Sequence, residues 1–296
     1  MEEKINTKIA EIKTTIKEIT KHFNYDEEVI NILTIVYLSM IMLDDEIEDL
    51  LMEVLSKTYI LFTSNPIEEI YQKLLGKKLF RETLVQLKQT NSAYFGSFIM
   101  NEQLVNENLI IIGPSSSFYG IVEDLIHELK HAINEVLPEF CLCNDPYFYS
   151  GLAQETRYGI KYDMIDEAFN SYLTKIYLDN INFLKKFSIQ DLAIKKLLKD
   201  FKLPKNYHYA YENITILCEP LFSSKYLFRK FYYSSLYKNF YELDRALYHA
   251  LGETQDSIDF FSYLDKIYYS QKDVVEIENL DYSFLRERVK IKPYLK

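Results

Sequence analysis

The chain has 296 residues, 48% of them hydrophobic, which is enough to bury a substantial core and excludes a disordered polymer. Forty-four acidic side chains against 34 basic ones leave a formal charge of -10, with the lysines scattered among acids. Such a surface repels a phosphate backbone, so no nucleic-acid partner is expected.

The N-terminus, Met1-Glu2-Glu3-Lys4, is polar and lacks the basic-then-apolar plan of a signal peptide. Ile5, Ile9, Ile12, Ile16 and Ile19 alternate spacings of four and three, which predicts an amphipathic helix packed within the chain. From Val29 to Leu43 there is no charge. That stretch is too short to span a bilayer and is flanked by Asp26, Glu27, Glu28 and by Asp44, Asp45, Glu46. It reads as a buried helix, and no membrane partner is expected. Ile47, Leu50, Leu51, Val54 and Leu55 extend an apolar face on the helix that follows, before Pro66 and Gly76 break the pattern. Residues 1–88 together read as an N-terminal helical region.

The texture changes over 89–180. Tyr94–Met100 and Asn108–Ile112 are short and rich in β-branched and aromatic residues, so they read as strands. Asn108–Ile112 is expected at the edge of a small antiparallel sheet, where an extended peptide can pair with it. Ser115, Ser116 and Ser117 precede a helix carrying Val122–Val136, and Pro138 ends it. Gly151 and Gly159 bracket a β-hairpin within Tyr149–Tyr162, and a helix follows from about Asp163 to Tyr177.

Residues 181–296 return to helix, with Tyr226, Tyr232, Tyr233, Tyr237 and Tyr241 at helical spacings that read as packing. Cys141, Cys143 and Cys218 make an odd count, which rules out a full disulfide framework and points to a reducing cytoplasm. Cys141-Leu142-Cys143 has one intervening residue and no second pair, so it is not read as a metal motif. The fold class expected is α+β, mostly helical, with a small sheet beside the helix of 122–136.

That helix carries His127-Glu128-Leu129-Lys130-His131, an H-E-x-x-H sequence. A chain with five histidines spells this pattern by chance about once in a hundred. On a helix, residues four apart lie about 40° apart round the axis, so both imidazoles can reach one zinc ion. Glu128 stands about 100° further round, placed to take a proton from water at the metal without being a ligand. With His127 at zero, the apolar residues from Val122 to Leu137 fall between about 140° and 280°, opposite the histidines. Lys130 is unusual at a central position and projects about 80° from the histidine line.

A catalytic zinc takes three protein ligands and keeps one position open. In Tyr162–Tyr172 the apolar positions 165, 169 and 172 mark one face of a helix, and Glu167 points from the opposite one. Geometry leaves Asp163 and Asp166 as alternatives to Glu167.

The order of strand, H-E-x-x-H helix, hairpin and Glu-bearing helix resembles the gluzincin group of zinc metallopeptidases, including gluzincin-like proteins of low-GC bacteria. The resemblance is specific over about 120–175, faint to about 250 and absent over the first 85 residues. In that group the third ligand is a glutamate a few tens of residues downstream, often after Asn or Asp. Glu167 lies 36 positions after His131 and follows Asp166. The resemblance therefore implies a zincin-like catalytic core over 89–180, zinc held by His127, His131 and Glu167, and hydrolysis of a peptide or protein.

It also implies a Tyr or His that stabilises the oxyanion of the tetrahedral intermediate. Tyr211 is the first choice, with His208, Tyr209, Tyr158 and Tyr162 as alternatives. Two other readings remain: a metallopeptidase-like scaffold without turnover, and a helical interaction protein whose H-E-x-x-H face is coincidental.

Overall fold

The computed structural model describes residues 2–67, 69–70, 92–95, 98–100, 103–105, 108–115, 117–135, 149–150, 152–156, 159–161, 163–209, 212–237 and 239–251. The fold is α+β and mostly helical. Helix α1 (Glu2–Ile19) turns its isoleucine seam inward, burying Ile9, Ile12 and Ile16. Helix α2 (Glu27–Ile41) starts at Asp26, whose carboxylate accepts the Val29 N–H at 2.9 Å and so satisfies one free donor of the first turn. Every residue from Ile30 to Ile41 is buried, so the charge-free stretch is a core helix. Among the described residues no helix is long and apolar enough to cross a membrane. Asp44 accepts the Glu46 N–H and shapes a short 3-10 turn, after which α3 (Glu48–Lys57) buries Leu51, Val54 and Leu55.

The described strands are β1 (Thr58–Phe62), β2 (Ser92–Phe95), β3 (Phe98–Met100), β4 (Gln103–Val105), β5 (Asn108–Ile112), β6 (Tyr149–Ser150), β7 (Ala153–Thr156) and β8 (Gly159–Lys161). Strand β1 lies inside the region expected to be helical. Four of its five residues are β-branched or aromatic, and that preference wins locally. It pairs in parallel with β5, while β2 pairs antiparallel with the other side of β5.

The sheet is therefore mixed, and Asn108–Ile112 is its central strand, not an edge. Leu109 to Ile112 are at most 1% exposed, and such a continuous apolar run needs cover on both faces. The Tyr25 hydroxyl accepts the Ile60 N–H at 2.6 Å, tying the loop before α2 onto β1. Tyr94–Met100 is divided: β2 ends at Phe95, and β3 joins β4 in a separate antiparallel ribbon. Strands β6, β7 and β8 form an antiparallel meander, one strand more than the expected hairpin.

Helix α4 (Phe118–Glu135) starts at Ser117, whose hydroxyl accepts the Gly120 N–H at 3.1 Å. Its apolar side packs against β2 and β5. Helix α5 (Asp163–Leu184) runs seven residues beyond the expected end at Tyr177. It is followed by α6 (Leu192–Asp200), α7 (Glu212–Phe222), α8 (Lys225–Tyr237) and α9 (Phe240–Leu251).

Contacts gather the chain into two compact units, Met1–Val136 with Thr174–Tyr207, and Leu137–Leu173 with His208–Lys296. Helix α5 contributes its first half to the second unit and its second half to the first. The first unit holds the mixed sheet and α1–α4. In the second, the Phe169 ring meets Phe222, Phe228 and Phe231 at centroid distances of 5.1, 5.8 and 5.4 Å. Some of the tyrosines pack as expected: Tyr232 stacks on Phe228 and Tyr233 on Tyr237, each pair with centroids 6.0 Å apart. Of those singled out, only Tyr232 is buried; Tyr226, Tyr233, Tyr237 and Tyr241 are 40–73% exposed. The Cys218 thiol is buried, which pushes its pKa up, while Cys141 and Cys143 lie outside the described residues.

Candidate metal centre

Helix α4 is amphipathic, and its histidines follow from that periodicity. His127 and His131, one turn apart, are both half-buried. Their Nε2 atoms are 3.2 Å apart and their rings meet edge to face at 73°. Two imidazole nitrogens on one tetrahedral zinc, each at about 2.05 Å, lie about 3.3 Å apart, so the pair has the spacing of two ligands. Donor atoms of His127, His131 and Glu167 all lie within 4.8 Å of one another. Among the described residues this is the one group of three such side chains. Two imidazole nitrogens and one carboxylate oxygen are a donor set that fits a metal ion such as zinc.

The neighbouring acids of α5 are used differently. Asp166 is 3% exposed; its Oδ1 accepts the Leu152 N–H at 2.7 Å and its Oδ2 accepts from Asn170 Nδ2 at 3.3 Å. Its carboxylate fastens the turn before β7 to the start of α5. The two side chains leave the helix about 100° apart, which lets adjacent acids serve different partners. Asp163 opens α5, and its side chain lies outside what the structure describes. Tyr211, Tyr158 and Tyr162 lie outside the described residues. Tyr209 stacks on Tyr172 with centroids 6.5 Å apart, and His208 lies in the segment before α7.

Glu128 is 7% exposed, and its Oε1 accepts a hydrogen bond from the Ser92 hydroxyl on β2 at 2.6 Å. Lys130, the unusual central residue of the motif, is 1% exposed. Its Nζ donates to Asn134 Oδ1 one turn on, at 2.6 Å. At about 300° round the helix it borders the apolar arc, so its stem follows the buried side while its ammonium bonds within the helix.

Two more acids flank the histidines. Glu123 lies one turn before His127 and accepts hydrogen bonds from Tyr119 and Tyr207. Burial raises its pKa, against those two bonds and the nearby His127. Asp124 is pushed up to about 7, by burial first and then by the charges of Glu123 and Glu128.

Ser92, Glu123, Tyr119 and Tyr207 were not singled out from the sequence. Glu123 and Tyr119 could have been, since they continue the four-residue spacing of the histidines backwards along α4. Ser92 and Tyr207 come from distant segments, and no local spacing announces them.

Comparison of the chain with protein-family profiles, with curated proteins and with solved structures finds no match. The functional reading rests on the residues and their geometry.

Proposed function

We propose that the protein is a zinc-dependent metallopeptidase of gluzincin type, acting on a peptide or protein. The observation that carries this reading is the convergence of His127, His131 and Glu167 beside an H-E-x-x-H glutamate. When bound, zinc supplies Lewis acidity that polarises a carbonyl and acidifies water. His127, His131 and Glu167 would hold the ion. Glu128 takes the proton as water attacks the carbonyl carbon and hands it to the leaving amine. Tyr211 remains the proposed oxyanion donor. The odd cysteine count and the free, buried Cys218 support a reducing cytoplasm as the compartment.

The test combines metal analysis of protein purified without chelator with cleavage of a quenched fluorescent peptide library. About one zinc per chain and cleavage abolished by Glu128→Gln are expected. A second reading, a zinc-holding scaffold without turnover, draws on the near-complete burial of Glu128 and its bond to Ser92. Stoichiometric zinc with no library peptide cleaved would select it. Absence of zinc would select the helical interaction protein.

A further inference from the structure

Ser92 holds one oxygen of Glu128, the glutamate that follows His127 in the chain. We infer that Ser92 is a positioning residue that fixes the Glu128 carboxylate, so that Oε1 is occupied and Oε2 is the oxygen that takes the proton. This rests on the peptidase reading.

Three observations carry it. The Oγ–Oε1 distance of 2.6 Å lies in the range of a charge-assisted O–H···O⁻ bond, the stronger class of hydrogen bond. Glu128 is 7% exposed, so water has little room to replace the hydroxyl. Ser92 begins β2 and its backbone registers with Ile112 on the central strand, so the donor is mounted on the sheet and not on a loop. A glutamate alone has free rotation about its last bond, which spreads its basic lone pairs over many directions. Tying one oxygen to a rigid strand removes that freedom, and a base held within hydrogen-bond reach of its proton is what general-base catalysis needs.

Five variants and two independent readouts test it. Ser92→Ala removes the hydroxyl. Ser92→Thr keeps it, and Ser92→Val matches the threonine in shape without it, so the last two share any packing disturbance. With a quenched fluorescent peptide that the wild-type protein cleaves, Ser92→Ala and Ser92→Val should lower kcat on the order of 10-fold with KM and zinc content unchanged. Ser92→Thr should recover most of the loss.

In chelator-treated protein, Ser92→Ala should lower the melting temperature when Glu128 is present and leave it unchanged in a Glu128→Ala background. Equal kcat in the Thr and Val variants, or a melting shift that persists without Glu128, would overturn the positioning role while leaving the peptidase reading intact. Failure of the wild-type protein to cleave any peptide would instead overturn the peptidase reading, and the positioning role with it.

Discussion

On α1, Lys13 lies 2.9 Å from both Glu27 and Asp191, and Lys17 lies 2.7 Å from Glu27, so these two lysines face opposite charges. Burial works against the charge of Lys13, yet the two carboxylates keep its pKa above the usual lysine value. Lys17 and Lys13 hold Glu27 below the usual carboxylate range. Asp191 is also held low: burial opposes, but Lys13 and the N–H groups of Ile194 and Ala193 outweigh it. On the polar side of α4 the signs reverse. Glu123, Asp124 and Glu128 crowd into six positions, and burial with like charge drives Asp124 up to about 7. Matched charges join α1, α2 and the start of α6. Like charges held together are costly unless a proton or a cation offsets them, and here Asp124 keeps its proton to a higher pH.

The comparison breaks first if the acids of α4 prove merely structural. Glu128→Gln should retain zinc and lose roughly 10²- to 10⁴-fold in hydrolysis, because the amide keeps the shape and cannot take a proton. Undiminished turnover of the fluorescent peptide would show that the base lies elsewhere.

The pH dependence of stability should also separate the clusters, since the shifts have opposite signs. Asp124 has a folded pKa of about 7 against an ordinary 3.8, so between those values the folded protein keeps a proton that the unfolded chain has lost. Its contribution to the metal-free protein therefore falls as pH rises from about 4 to 7, and Asp124→Asn should flatten that slope. Denaturant melts of both proteins across this range measure it, and identical slopes would contradict the assignment.

Asp191 should behave the other way. Its folded pKa is depressed below 3.8, so its contribution is complete above that value and is lost as pH falls through the folded pKa. It also accepts from the Ala193 and Ile194 N–H groups at 2.9 and 3.0 Å, capping α6. Asp191→Ala should cost about 1 kcal/mol at neutral pH, mostly through the cap, and the difference from wild type should shrink in acid. Asp191→Asn, which keeps a capping oxygen without the charge, should lie between them.

What could be read in advance follows the range of the interactions. The seam Ile9–Ile12–Ile16, the buried run of α2 and the histidine face of α4 are periodic, and each was legible. Strand β1 was not, because it follows α3 without a glycine or proline to mark the change. The parallel partner of β5 was equally hidden, since Thr58 and Asn108 are distant in the chain. At the site, H-E-x-x-H is local and spoke for itself. The choice of Glu167 over Asp166 came from the family resemblance, because angle alone left both open. In the structure Asp166 accepts from Leu152 and Asn170, while donor atoms of Glu167, His127 and His131 lie within 4.8 Å of one another. The burial of Lys130 was not read in advance, although its angle, about 20° from the apolar arc, pointed to it.

The most direct test of the centre is zinc content in wild-type, Glu167→Ala and Asp166→Ala proteins, each purified without chelator and equilibrated with the same trace of free zinc. The wild-type chain should carry about one zinc ion. Asp166→Ala should bind it at most roughly 10- to 100-fold more weakly, through the disturbed start of α5. Glu167→Ala should lose stoichiometric binding altogether. One zinc per chain retained in Glu167→Ala, or none in the wild type, would contradict the three-residue centre.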